Sequence, residues 1–203
     1  MSPIAHFLAG WLVGGATSLR RREKALVVAA GVAPDLDGLG ILPETLTRHS
    51  SHPLLWFSHY HHSLHTLTFA LGMALLAWLL SASANFTLGP KIQGRPVRVR
   101  PWTTALFAFV SFHLHLLGDL VGSRSPDGYQ WPIPYFAPFS QSVQLIWHGQ
   151  WALNAWPNFA ITTVFLVLTL WIAGKYAHSP LELMSARANQ RLVAAVRART
   201  KVD

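Results

Sequence analysis

The chain has 203 residues, 51% of them hydrophobic and only 12% charged, with a net charge of +8. A soluble domain carries about 25% charged residues, so the shortage, with a mean hydropathy of +0.30, argues against a soluble fold and for an integral membrane protein. Cysteine is absent, which excludes disulfides, thiolate metal ligands and a cysteine nucleophile.

The first apolar stretch, residues 4–19, follows Ser2-Pro3, an N-cap and first-turn pair, and contains Gly10-x-x-x-Gly14, a close-packing pattern. No basic segment precedes Ile4, and Arg20-Arg21-Arg22 comes after the apolar run, so a cleavable signal is not expected. A second run, residues 25–33, meets Pro34, which is expected to stop it. The third run covers residues 64–84, the fourth 102–121 and the fifth 159–177, the last without an ionisable group before Lys175. Between the fourth and fifth, residues 122–157 concentrate Trp131, Tyr135, Phe136, Phe139, Trp147, Trp151 and Trp156. That composition suits an interfacial belt or a lid.

The expected fold is therefore all-α: a polytopic membrane helical bundle of about five spans. From Pro180 a C-terminal amphipathic helix is expected, with Ser179-x-x-Glu182 as a capping box. Leu181, Met184, Ala188, Leu192 and Val196 form its apolar stripe, and Arg187, Arg191, Arg197 and Arg199 its basic residues. It should lie on the anionic inner leaflet. The domain reading is residues 1–178 as the transmembrane catalytic unit and 179–203 as a basic cytoplasmic tail. Positive charge collects in residues 20–24, 91–100 and 187–201. Five spans put all three on one face, which the positive-inside rule makes cytoplasmic. The topology is then N-terminus out, C-terminus in, at the cytoplasmic (inner) membrane. The same rule accounts for the basic clusters without nucleic acid, leaving membrane lipids as the expected surroundings.

Against that frame, His6, Asp35, Asp37, His61, His62, His65, His115 and Asp119 all fall toward the outer ends of apolar helices. Ionisable groups in or near hydrocarbon are costly and mark function. At 1.5 Å per residue, His6 lies about 21 Å from Arg20, Asp35 about 16 Å from Lys24, and His115 about 21 Å from Pro101. The hydrocarbon core is about 30 Å thick, so these groups share a depth just below the outer interface. His115 and Asp119 are four apart and share a helix face, as do His61 and His65. Asp35 and Asp37 are close enough to repel unless a cation or proton compensates. His113 points about 160° away from His115 on the same helix and is read as packing. His49, His52 and His148 are read as solvated loop residues. Mixed imidazole and carboxylate donors suit zinc, with manganese or iron as alternatives. Eight donors exceed the set that one catalytic zinc uses, so one or two divalent ions are expected.

The order of these motifs resembles the YdjM-like family of membrane-bound metal-dependent hydrolases. The resemblance spans about residues 3–140. It rests on His6-Phe-Leu-Ala-Gly10, Pro34-Asp35-Leu36-Asp37, His61-His62-Ser63-Leu64-His65 and His115-Leu-Leu-Gly-Asp119, and on the stretch from Asp127-Gly128 to Pro138-Phe139-Ser140. It implies metal-dependent hydrolysis at an inner membrane, with ligand roles on His6, Asp35, Asp37, His65, His115 and Asp119. Many members place a His-Arg pair five residues before the last His of the cluster; here Tyr60 stands there, and both His61 and His62 are open as its counterpart.

Residues and resemblance together lead to an expected hydrolase acting on an ester, most readily a phosphoester, of a lipid or lipid-linked substrate. Asp37 is the candidate general base, and Arg124 a candidate phosphate clamp. Two rivals remain: a metal-ion or proton transporter, since His and Asp in spans also mark ion pathways, and a non-catalytic, metal-stabilised scaffold. Gly10-x-x-x-Gly14 and Gly118-x-x-x-Gly122 can pack helices within one chain or build an oligomer.

Overall fold

The structure, a computed structural model, describes residues 1–57, 62–87, 91–92, 95–96, 100–125 and 128–200. His61, Asp127, Lys201 and part of the basic stretch 91–100 lie outside the described residues. The elements in order are α1 (Pro3–Gly15), α2 (Arg21–Val32), a 3₁₀ segment (Ala33–Gly40), α3 (Ile41–Thr47), α4 (Leu67–Thr87), α5 (Pro101–Gly122) and α6 (Trp156–Tyr176). A second 3₁₀ turn (Pro180–Leu183) and α7 (Ala186–Thr200) follow. The longest strand pairing among the described residues is a two-residue antiparallel ladder, Lys91–Ile92 with Arg95–Pro96. The protein is helical, as its composition requires.

Three helical stretches are long and apolar enough to cross a membrane: Arg21–Thr47, Pro101–Gly122 and Trp156–Tyr176. Pro3–Gly15 and Leu67–Ser83 are shorter apolar helices. The five apolar runs in the sequence thus become five apolar helices of unequal length. Their outer faces carry large exposed side chains: Leu71, Leu75 and Leu79 on α4, Leu106 and Leu117 on α5, and Phe159, Val164, Val167 and Trp171 on α6. Apolar surface on this scale is stable only against lipid or a partner.

Small residues hold the helices together. Ala30, Ala77 and Ala108 pack α2, α4 and α5 into one buried layer. Ala70, Phe112 and Leu116 form a second layer, closed by Ile133 from the aromatic loop. Gly10 of α1 and Gly31 of α2 meet at Ser111 of α5, where a Cβ on either glycine would collide with the serine hydroxyl. Gly14 lies against Lys24 and Val27, Gly118 against Met1 and His6, and Gly122 against Asn158. Both GxxxG patterns therefore serve packing inside the chain.

Helix starts follow the local sequence. Ser2 caps α1, its hydroxyl accepting from Ala5 N at 3.3 Å, and the Thr66 hydroxyl accepts from Phe69 N at 3.1 Å at the start of α4. Pro34 acts differently from the expected stop. Its missing N–H ends the α-helical winding, but the chain continues as a tighter 3₁₀ segment into α3. In the tail, Ser179 makes no side-chain cap. Its hydroxyl donates to Asn189 Oδ1 at 2.8 Å, and Glu182 is taken by Lys24 Nζ at 3.0 Å and His178 Nδ1 at 2.8 Å. The expected capping box is thus replaced by tertiary contacts. Helix α7 docks on the end of α6 through buried Val193 and a bond from Arg197 Nε to Gly174 O at 2.9 Å.

Candidate metal centre

Four donors converge at the end of the bundle formed by the start of α1, the end of α2 and the end of α5. Atoms of His6, Asp35, His115 and Asp119 all lie within 4.8 Å of one another. Each of the first three stands one helical turn from a small residue at the three-helix crossing: His6 from Gly10, Asp35 from Gly31, His115 from Ser111. Side chains four apart share a helix face. Where Gly10, Gly31 and Ser111 bring three backbones together, the next turn must bring their ligands together. Gly118 does the same for α1, since a Cβ there would sit 3.2 Å from the His6 ring.

The orientation of His115 is set from behind. Its Nδ1 lies 2.9 Å from Gly31 O, to which it can only donate. In an α-helix that carbonyl would accept from Asp35 N; in the 3₁₀ winding its donor would be residue 34, a proline without an N–H, which frees it. Pro34 thus delivers both Asp35 and the acceptor that aims His115. The second nitrogen, Nε2, faces the cluster, 2.9 Å from Asp119 Oδ2 and 3.7 Å from Asp35 Oδ1. The His6 ring stacks on the His115 ring, centroids 3.7 Å apart, and its Nε2 is 3.1 Å from Asp119 Oδ1.

His65 completes the group. Its Nε2 is 3.3 Å from His115 Nε2 and 3.4 Å from Asp119 Oδ2. Its Nδ1 faces Asp37 Oδ2 at 3.5 Å. Asp37 is thus behind His65 rather than among the four clustered donors. The same oxygen accepts from the backbone N–H groups of His62 and Leu64, at 2.8 and 3.1 Å, and so holds the turn that carries His65. His62 sits there with φ of +88°, against the His65 and Trp131 rings. A carboxylate behind a ligating imidazole is the usual way of fixing its ring and raising its basicity.

The donor set fits a cation. With Nδ1 of His115 donating to Gly31, a neutral His115 offers a lone pair toward two carboxylates, and acceptors facing one another repel. Asp35 Oδ2 is buried without a hydrogen-bond partner. His6, His65 and His115 are each at most 2% exposed, too dry for water to compensate. One cationic group is in place: the Met1 amino group contacts Asp119 Oδ1 and donates to Ser123 Oγ at 2.6 Å. Three imidazoles and two carboxylates around one point are a nitrogen-and-oxygen set suited to a divalent transition metal.

A small cavity of about 90 Å³ opens on this centre, lined by Met1, Asp35, His62, His65, Asp119, Ser123, Trp131 and Leu153. The aromatic loop roofs it. Gln150, 1% exposed, donates to the carbonyls of Asp119 and Leu120 at 2.9 and 3.2 Å and accepts from Trp131 N at 3.0 Å. Asn158 ties Gly122 O, Ala152 O and Leu153 O to the start of α6. The loop divides by residue: Trp131 and Ile133 face inward, while Phe139, Trp147 and Trp156 are exposed. Belt and lid are two sides of one segment.

The remaining expectations place as follows. His113 bonds Phe109 O and Tyr135 OH, away from the centre. His49 and His52 are exposed, and His148 pairs with Gln130. Arg124 is held by its backbone beside Ala152, and its side chain does not line the cavity. Ser123, Gln150 and Asn158 escape sequence reasoning, since single polar residues in a loop carry no periodic signal, whereas Trp131 belongs to the segment expected as belt or lid. Ser111-x-x-x-His115-x-x-x-Asp119, Gly31-x-x-x-Asp35 and His6-x-x-x-Gly10 were visible as one repeated spacing.

Apolar helices around a buried His/Asp cluster define a helical membrane protein with a metal-type site. Residues 1–197 match the model of the family described as YdjM inner membrane protein, and the chain belongs to that family. It is an inner membrane protein. No match was found among curated proteins or among solved structures.

Proposed function

We propose that this protein is a metal-dependent hydrolase of an ester bond, most readily a phosphoester, in a lipid or lipid-linked substrate at the outer face of the inner membrane. The observation that carries the reading is the group of buried His6, His65, His115 and Asp119 with half-buried Asp35, opening to a cavity at one end of an apolar bundle. A divalent ion held there, zinc by preference, supplies Lewis acidity and lowers the pKa of water. The chain's own residues do the rest. His115 and His65 are aimed by Gly31 O and Asp37. Asp35, with an oxygen left unpaired at the cavity, is placed to accept a proton from the attacking water. That role moves from Asp37, whose carboxylate is committed to the His62–His65 turn. Ser123 and the Trp131 roof bound the substrate and exclude bulk water. Arg124, one residue beyond Ser123, is the nearest candidate to meet a phosphate on lid movement.

The topology that goes with this reading has five spans, α1, α2, α4, α5 and α6, with the N-terminus out and the C-terminus in. Ligand-bearing ends then face outward, and Arg20, Lys24, Lys175 and α7 face the cytoplasm. A transporter would have to open the layer directly beneath the cluster, where Gly10, Gly31 and Ser111 are in contact and Ala30, Ala77 and Ala108 close the next turn. That packing favours hydrolysis.

The test is metal analysis of purified protein joined to hydrolysis of lipid phosphoesters before and after chelation. Turnover that is lost with the metal and restored by zinc, manganese or iron is expected. Fully loaded protein with a saturated ligand shell and no hydrolysis of any phosphoester would leave a scaffold instead, and metal flux in proteoliposomes a transporter.

A further inference from the structure

A second cleft lies away from the roofed cavity, on the flank of the bundle. It measures about 540 Å³ and is bounded by α1, α5 and α6. Its walls are apolar: Ala9, Leu12 and Val13 from α1, Leu114 and Leu117 from α5, and Phe165 from α6. The bundle's connectivity creates it. Helices α5 and α6 are pinned together at one end by Asn158 and Gly122, and α6 then packs along α1, so a trough remains between α5 and α6 with α1 as its floor. The upper end of that trough is formed by Met1, His6 and Gly118. His6 is also a donor of the cluster, so one imidazole separates the apolar trough from the metal-type centre.

We infer that this cleft seats one acyl chain of a membrane lipid, with the lipid's ester head turned over His6 toward the centre. The inference rests on the hydrolase reading and adds how its substrate is recognised. Three observations select an acyl chain over other occupants. The cleft opens sideways among helices whose outer faces carry exposed leucine, valine and phenylalanine, where lipid is the solvent. Along α1 it runs from Ala5 to Val13, about 12 Å. Over that length the walls are hydrocarbon, which matches a methylene chain and offers a polar ligand no hydrogen-bond partner. The cleft also abuts the ligand cluster, since His6 lines the one and is a donor of the other, as the seat of a substrate's chain must and a docking groove need not. Gly118 lets Met1 and His6 pack closely at this end of the trough, because a Cβ there would lie 3.0 Å from the Met1 sulfur and 3.2 Å from the His6 ring.

The test uses the metal-loaded full chain in nanodiscs and n-alkyl phosphates from ethyl to decyl, with binding corrected against empty nanodiscs. Affinity should climb with each added methylene, by up to about fourfold, the worth of one buried CH₂, until the trough is full. Val13→Trp and Leu117→Trp, which fill the trough from two walls, should flatten the climb while leaving metal content and ethyl phosphate binding unchanged. Leu71→Trp, on the exposed face of α4, should leave the climb intact. A wild-type series that is flat from ethyl to decyl overturns the inference. So does an unaltered climb in both filled variants, or a change of oligomeric state in Leu117→Trp that marks the cleft as an interface between copies. Turnover is read separately: chain-length-dependent binding without hydrolysis of any phosphoester would remove the hydrolase reading and keep the lipid site.

Discussion

The two ends of the bundle treat buried charge in opposite ways. At the basic end, Arg20 pairs with Glu23, and Lys24 with Glu182 while lying over the Trp11 ring. Glu23 and Lys24 are almost wholly buried, yet each acid there has a cationic side chain of the protein beside it. At the other end, Asp35 and Asp119 face histidines and, for Asp119, the Met1 amino group. The first arrangement is complete as it stands and fixes where the tail docks. The second leaves Asp35 Oδ2 without a hydrogen-bond partner, among four donors that could hold a metal ion. A buried ion pair that is satisfied is structural, whereas carboxylates and imidazole nitrogens gathered at one point have the chemistry of a metal site.

That contrast can be broken from either side. The largest effect is expected at the ligands: Asp35→Ala, His115→Ala and Asp119→Ala should each lose bound metal and metal-dependent turnover, read by elemental analysis of purified protein. Full metal occupancy in all three would end the assignment. Next comes the basic end. Lys24→Met removes one of the two partners of the half-buried Glu182 carboxylate, leaving His178, and should destabilise the fold by about 1–3 kcal/mol, seen as a lowered unfolding temperature, with metal content per folded molecule unchanged. A metal loss there as large as the stability loss would show that the ends are not separate. Asp37→Asn should be milder, weakening metal affinity by about 10–100-fold through His65 rather than abolishing it. An effect equal to that of His115→Ala would make Asp37 a ligand after all. The smallest change tests the geometry beneath the site. Gly31→Ala should cost about 1 kcal/mol from overpacking against Ser111, and adding Ser111→Ala should recover most of it. No recovery in that double variant would mean the crossing is not set by this contact.

Much of the site was legible because its chemistry is rare in hydrocarbon. His6, Asp35, His115 and Asp119 stand out in apolar runs, and the depth count put them on one level before any contact was known. Asp37 is legible as a residue, but its position behind His65 is not, since spacing alone cannot tell a ligand from the group behind a ligand. Pro34 was read as a stop, but a missing N–H ends α-winding without ending the helix, and the following 3₁₀ segment is what frees Gly31 O. The Ser179–Glu182 pair had the right spacing for a cap, yet Asn189, Lys24 and His178 offered better partners.

By itself the sequence determined the solvent, the helical class and the end of the bundle where histidines and aspartates gather, because those follow from composition, period and charge placement. Tertiary structure decided which donors share a centre, which way His115 and His65 point, and where the trough beside His6 runs. These depend on how closely three backbones approach at Gly10, Gly31 and Ser111, and on which carbonyls are left unpaired. Close approach is a property of pairs of helices, and a single chain read end to end does not contain it.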